Sequence, residues 1–420
     1  MIEVKNRKIK NISINVPGSK SYTHRMLIAA SLSDGVCIIS NPLKSEDTIF
    51  TKNALQKMGI KIKDHEKGFI IHGTGGRLSP CSDRIDLENS GTSMRLLTSV
   101  AALGEGEYLL TGSDRMQQRP IKDLLDALNQ IGVDALSVGN NGCPPVKIQG
   151  GNIFGGKVSV NCNISSQFLS SLLLIAPYTE NGLDITVSKG PVSKPYVDMT
   201  VDIMNKFGVK VVRTNYSRFI IDGRQKYKSG DYSVEPDCSQ ASYFWAAAAI
   251  SGKTIKVMGI SKDSAQGDVR FVEILEKMGC NIDYEHDGIS VSGANLCAVE
   301  VDMADMPDVV PTLSVVAAFA KGVTTIKNVA HLKAKESDRL EAVAAELSKM
   351  GIKAHYNDRD LFITGGVPNG ALIETYNDHR IAMSFAVAGL MVPGIFIKNE
   401  TCVDKSFPGF WNVFNGLYDK

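Results

Sequence analysis

Five short stretches, spaced almost evenly along the chain, limit what it can fold into: ALQKMGIKI, ALNQIGVDA, IMNKFGVKV, ILEKMGCNI and ELSKMGIKA. Each reads as the last turn of an amphipathic helix, a left-handed glycine that ends it, and the start of a strand. The glycines are Gly59, Gly132, Gly208, Gly279 and Gly351, so the separations are 73, 76, 71 and 72 residues. A strand signal running into a glycine follows each: FIIHG, PVKIQG, FIIDG, GISVSG and LFITG. Near the C-terminus FWNVFNGLY puts Phe410, Phe414 and Leu417 on one face, like a shortened sixth copy. Such a unit is too long for a solenoid repeat, whose period is roughly 20 to 50 residues. Six copies in 420 residues predict an α/β chain of two similar domains, three copies each, with helices packed inside sheets. The crossings fall near Gly18 and in KSGDYSVEPD, giving one domain of residues 1–19 with 234–420 and another of residues 20–233.

Composition removes several functional classes. With 46 Lys and Arg against 45 Asp and Glu, the net charge is only +1, which argues against a broad nucleic-acid surface but allows local cationic pockets. No eighteen-residue apolar window predicts a membrane span, and the opening MIEVKNRKIKNISI alternates like a strand and lacks a signal peptide's apolar stretch. The eight cysteines stand singly, with no CxxC pair and no histidine at metal-ligand spacing. Reduced thiols in a cytoplasmic protein are the expectation.

PGSKSYTHR, residues 17–25, fails as a nucleotide-binding P-loop, because Ser19 precedes Lys20 and Ile14 stands where the earlier glycine belongs. It reads instead as a helix start, with Ser19 as cap, Lys20 and His24 one turn apart as are Ser21 and Arg25, and two cations and a hydroxyl pointing outward beside exposed backbone N–H groups. Cations at that end oppose the helix dipole and call for an anion. NSGTSMR offers Gly91 among small hydroxyls, and SDRMQQRPI offers Arg115 and Arg119. NISSQFLSSLLLIAP opens a helix with Ser165, Ser166 and Gln167, and VSKPYVDMT adds Ser193, Lys194 and Tyr196. The second half brings acids. DMADMPDVVPTL places Asp302, Asp305 and Asp308 ahead of an apolar helix, NDHRIAMSF opens another, and CVDKSFPGFW presents Lys405. In HLKAKESDRLEAV the spacing of Lys335, Glu336 and Arg339 alone fits a surface salt-bridge ladder slightly better than a site.

Together these ordered motifs resemble the 5-enolpyruvylshikimate-3-phosphate synthase (3-phosphoshikimate 1-carboxyvinyltransferase) family from near the first residue to the last. The matching stretches are PGSKSYTHR, NSGTSMR, DRMQQRPI, SSQFLSSLLLIAP, VSKPYVDMT, PDCSQASYF, MPDVVPTL, KAKESDRL, NDHRIAMSF and DKSFPGF. The resemblance implies the enolpyruvyl transferase fold, an inside-out α/β barrel: two domains of three βαβαββ units, with the active site in the cleft that substrate closes. It implies transfer of the enolpyruvyl group of phosphoenolpyruvate to the 5-hydroxyl of shikimate 3-phosphate, through a tetrahedral ketal phosphate, in aromatic amino-acid biosynthesis. It also implies that Lys20, Gly91, Arg115, Gln167, Arg339, Arg380 and Lys405 surround phosphoenolpyruvate. Ser21, Arg25, Ser165, Ser166, Gln167, Ser193, Tyr196, Asp308 and Lys335 would hold shikimate 3-phosphate. Asp308 is expected to be the base toward the 5-hydroxyl, and Glu336, with Lys20 nearby, to handle the proton at the methylene carbon.

Two positions depart from the family pattern. His331 stands where an asparagine is usual, which leaves a phosphate contact open. Leu96 follows TSMR where many members have proline, which leaves open how phosphoenolpyruvate mimics such as glyphosate fit beside Gly91. UDP-N-acetylglucosamine enolpyruvyl transferases are the nearest rival, but they usually carry a cysteine in the loop aligned with SDRMQQRP and Asn after the first Lys, where this chain has Ser21. A non-catalytic scaffold would not need cations and carboxylates on both halves, and an RNA-end-processing relative should be more basic. No metal or cofactor is implied, and a monomer is expected.

Overall fold

The computed structural model describes residues 1–419 and divides into two compact units, Met1–Pro17 with Glu235–Lys420, and Gly18–Val234. In the Gly18–Val234 unit the helices are α1 (Lys20–Leu32), α2 (Glu46–Lys57), α3 (Gly91–Ala101), α4 (Lys122–Gln130), α5 (Gln167–Ile175) and α6 (Pro195–Lys206). The other unit contains α7 (Cys238–Ser251), α8 (Phe271–Lys277), α9 (Val310–Ala318), α10 (Arg339–Lys349), α11 (His379–Gly389) and α12 (Phe410–Asn415).

Two kinds of helix follow from two kinds of sequence. α7, CSQASYFWAAAAIS, and α9, VPTLSVVAA, are apolar or small on every side, so no face is suited to water, and both are buried almost throughout. α1, α3 and α5 behave alike, and the residues of these three that are not buried are Ser21, Thr92 and Gln167, each in a first turn. The amphipathic α4, KDLLDALNQ, buries one stripe, Leu124, Leu125, Ala127 and Leu128. α1, α3 and α5 are thus wrapped on all sides and open at their N-termini.

Sheets supply the wrapping. In Gly18–Val234 one sheet runs Asp231–Ser233, Val36–Ser40, Gly68–His72, Lys61–His65, with the first pair parallel and the rest antiparallel. Two more sheets repeat that order, one from Ile85–Asp86 to Asp134–Ser137 and one from Gly156–Asn161 to Val212–Thr214. The other unit repeats it twice, with Ile12–Ile14 pairing parallel to Thr254–Met258. Along Val36–Ser40, Cys37 and Ile39 are buried while Val36, Ile38 and Ser40 are exposed or half-buried, so one face meets the helices and the other meets water. The expected α/β fold with helices inside sheets is what the chain forms.

The five repeat glycines all have positive φ, from 77° at Gly351 to 111° at Gly279, the conformation that ends a helix at little cost only for glycine. The sixth copy lacks its own return strand. Ile2–Val4 fills that place, pairing antiparallel with Ile395–Ile397, which in turn lies parallel to Leu372–Ile373. Among the described residues no helix is long and apolar enough to cross a membrane.

Candidate functional site

In the Gly18–Val234 unit the open helix ends carry the predicted cations and hydroxyls. Ser19 caps α1 by accepting from the Tyr22 amide, and Gly18 has no room for a side chain because one would strike the Asn41 carbonyl oxygen. Arg25, one turn in, is 1 % exposed. Its Nε donates to Thr200 Oγ1 at 2.7 Å, Nη1 to the Ser21 carbonyl at 2.9 Å, and Nη2 to Ser170 Oγ at 3.3 Å and the Tyr196 carbonyl at 3.1 Å. All four acceptors are neutral. Burial without a carboxylate among these partners pulls the guanidinium down to about 10. Ser165 and Ser166, both buried, lead into α5, where Ser165 Oγ accepts from the Gln167 amide at 3.2 Å. Ser193 is buried in left-handed backbone (φ 55°), and the half-buried Tyr196 follows in α6. A buried cation thus lies among hydroxyls near the N-termini of α1, α5 and α6.

A second group centres on Lys20, also buried, whose Nζ lies 3.1 Å from Asp47 Oδ2 on α2. The outward cations of the helix-start reading are not found, since Lys20 and Arg25 are buried, and neither is His24 exposed. It is fully buried, 2.7 Å from Thr51 Oγ1, because this side of α1 packs against α2. Ser93 Oγ of α3 meets Thr51 Oγ1 at 2.8 Å and Ser90 Oγ at 2.7 Å, and donates to the Asp47 carbonyl at 3.1 Å. Because Ser93 has one proton and gives it to that carbonyl, Thr51 and Ser90 must donate to Ser93. Thr51 therefore accepts from His24, which fixes the imidazole proton on Nδ1.

Gly91 begins α3, and a Cβ there would lie 2.6 Å from Arg119 Cζ. Arg119 is buried, and its Nη1 reaches the Asn89 carbonyl at 3.1 Å and Oδ1 at 3.2 Å. Arg115 is half-buried at the start of the turn Met116–Gln118. Of the two arginines, Arg119 is therefore the one against Gly91. Gln167 is aimed from both ends, its Oε1 accepting from Arg95 at 2.9 Å and its Nε2 donating to Thr92 Oγ1 at 2.9 Å. Leu96 is fully buried inside α3 rather than in a loop.

The other unit gathers the acids. Asp308, on the turn before α9, accepts from Arg339 Nη1 at 3.0 Å on one oxygen and from Arg380 Nη2 at 2.9 Å on the other. Arg339 also donates from Nη2 to Glu336 Oε2 at 2.8 Å and from Nε to Asp378 Oδ2 at 2.8 Å. Asp378 is fully buried, caps α11 by accepting from the Arg380 amide, and takes the Ser337 hydroxyl at 3.0 Å. Arg380 Nη1 donates to Tyr243 Oη at 3.0 Å. Against full burial, Asp378, Glu336 and Asp308 hold the Arg339 guanidinium above its ordinary value, and Tyr243 first, then Asp308 and Asp237, do the same for Arg380. The surface ladder foreseen for KAKESDR is overturned: Arg339 is 1 % exposed, and α10 begins only at Arg339, so Lys335 does not share its helix. Lys335 is half-buried in extended backbone, and Lys405 is buried at the end of the turn Glu400–Lys405. The buried Asp268 is raised to about 8, chiefly by desolvation and then by the Asp308 charge.

His331 lies on the turn Ala330–Ala334 with its Nε2 buried and lacking a hydrogen-bond partner among the described residues. Desolvation first, then Lys335, lowers it from 6.5 to about 3, so the ring is neutral at pH 7. Between those values the unfolded chain binds a proton that the folded chain refuses, so stability falls as pH drops from 6.5 toward 3. His331→Asn should flatten that part of a Tm-against-pH curve. An unchanged slope would mean the ring protonates freely in the fold.

The profile of EPSP synthase (3-phosphoshikimate 1-carboxyvinyltransferase) matches residues 5–414. The 3-phosphoshikimate 1-carboxyvinyltransferase of Syntrophobacter fumaroxidans is 43 % identical over 407 residues, covering 96 % of each chain. That of Methanosphaerula palustris is 43 % identical over 408 residues, again with 96 % of each covered. Among solved structures, EPSP synthase from Acinetobacter baumannii superposes with a TM-score of 0.84 at 28 % identity, over 99 % of this chain and 97 % of that one. The enolpyruvyl transferase NikO from Streptomyces tendae shares the fold, with a TM-score of 0.78 at 18 % identity over 99 % and 96 %.

Proposed function

The chain belongs to the EPSP synthase (3-phosphoshikimate 1-carboxyvinyltransferase) family and transfers the enolpyruvyl group of phosphoenolpyruvate to shikimate 3-phosphate, and from that premise we propose how its charged clusters divide the work. Both substrates bring phosphate and carboxylate, so the reaction needs several cations in a water-poor setting. Arg25, with Ser21, Ser165, Ser166, Ser193, Tyr196 and Gln167, takes the acceptor and its phosphate, and Lys335 and His331 add to that grip. Lys20, Arg119 beside Gly91, Arg115, Gln167, Arg339, Arg380 and Lys405 take the donor.

The observation that carries the chemistry is one guanidinium, that of Arg339, which besides Asp378 holds both Asp308 and Glu336. Asp308 has both oxygens on guanidinium N–H groups, and each oxygen keeps a lone pair for a hydroxyl proton. In the addition the 5-hydroxyl oxygen bonds to carbon 2 of phosphoenolpyruvate. Its proton passes to Asp308 while Glu336, entering the step as the protonated acid with Oε2 still accepting from Arg339, gives its proton to carbon 3 and is left as the carboxylate. In the elimination Glu336 takes a proton back from carbon 3, the double bond reforms, and the C–O bond to phosphate breaks with its electron pair leaving on phosphate. The proton on Asp308 leaves with phosphate or solvent.

Phosphate release from phosphoenolpyruvate, with shikimate 3-phosphate and UDP-N-acetylglucosamine supplied separately, tests the acceptor. Release is expected with the first alone; release with only the sugar nucleotide would overturn the reading. The donor pocket makes a sharper claim. Gly91→Ala would press a methyl group into the Arg119 guanidinium. KM for phosphoenolpyruvate should rise about tenfold or more, about 1.4 kcal/mol, with shikimate 3-phosphate affinity little changed. Equal losses for both substrates would place Arg119 elsewhere in the mechanism.

A further inference from the structure

Two consecutive residues ahead of Asp378, Tyr376 (φ 53°) and Asn377 (φ 54°), are left-handed without being glycine. For a bulky residue such as tyrosine this is a strained state that the surroundings must hold. If it relaxed, the entry to α11 would swing and carry Asp378 and Arg380 with it. Glu346 opposes this. It lies on α10 seven residues beyond Arg339, about two helical turns, and is fully buried. Its carboxylate accepts from Tyr376 Oη at 2.7 Å, the Glu374 amide at 3.1 Å and Lys349 Nζ at 2.8 Å. α10 therefore clasps the segment 374–380 twice, through Arg339 on Asp378 and, two turns later, through Glu346 on Glu374 and Tyr376.

A carboxylate is costly to bury unless its bonds are made, and two of the partners of Glu346 belong to the strained segment. We propose that Glu346 and Tyr376 are positioning residues for the transfer reaction, holding the left-handed pair so that Asp378 and Arg380 keep their places against Arg339 and Asp308. This rests on the roles given above to Asp308, Arg339 and Arg380.

Tyr376→Phe deletes one hydroxyl and keeps the ring, so the variant retains its packing. Its kcat/KM for phosphoenolpyruvate should fall about ten- to hundredfold, the scale of a small misplacement at a reacting centre, with the Kd for shikimate 3-phosphate unchanged. A contact that served folding alone would lower Tm and leave kcat/KM intact. Wild-type kcat/KM in Tyr376→Phe overturns the proposal. Arg380→Ala, assayed alongside, separates the two levels. If it is crippled beside a normal Tyr376→Phe, the clasp alone is wrong; if it is also normal, the site assignment is wrong.

Discussion

Glu336→Gln should lower kcat by about 100- to 10,000-fold, the range for losing a positioned acid–base group, while shikimate 3-phosphate still binds with near wild-type affinity. The substitution keeps the shape and leaves a carbonyl oxygen able to accept from Arg339 Nη2, now 2.8 Å from Glu336 Oε2. It removes the ability to give a proton to carbon 3 and take one back. Rapid quench with enzyme in excess should show no accumulating ketal phosphate, because addition itself stalls. A variant keeping most of its activity would remove Glu336 from the chemistry.

Arg25→Met should show the opposite signature. The side chain is nearly the same volume, so the packing among α1, α5 and α6 is largely kept, but the buried charge is gone. A hydrogen bond to a charged group contributes roughly 1.5 to 3 kcal/mol, so shikimate 3-phosphate should bind about ten- to 150-fold more weakly. The KM for phosphoenolpyruvate should hardly move. Arg25→Lys should not rescue binding, since an ammonium cannot reproduce the fork that reaches Thr200, Ser170 and two carbonyls at once. Calorimetric titration of the acceptor checks both variants. Unaltered affinity in Arg25→Met would mean that the phosphate sits elsewhere.

The architecture was legible in the sequence wherever local chemistry and long-range order say the same thing. Gly59, Gly132, Gly208, Gly279 and Gly351 announce helix ends whatever packs around them, and all five have the positive φ that this role requires. The closing of the sixth copy by Ile2–Val4 was not legible, because pairing between residues almost a chain length apart leaves no local mark. Side-chain direction was harder still. The spacing of Lys335, Glu336 and Arg339 is the same on a surface ladder as in a buried cluster, and only Asp308 and Asp378, brought in from other elements, decide between them. His24 misled for the same reason, since Thr51 and Ser93, which hold it, lie 27 and 69 positions further on. Asp47 and Arg119 gave weak signals, one an ordinary acid in a helix first turn and the other one of two arginines in a loop. The strain at Tyr376 and Asn377 had no sequence signal beyond an asparagine.

The central claim is that an enzyme carboxylate gives a proton to the methylene carbon of the donor and later retrieves one. Turnover in D2O, followed by mass spectrometry of the product, tests it at the atom concerned. Deuterium in the product's methylene group is the predicted result, because carbon 3 passes through a methyl stage fed by a solvent-exchanged acid. Product carrying only protium at that carbon would contradict the account.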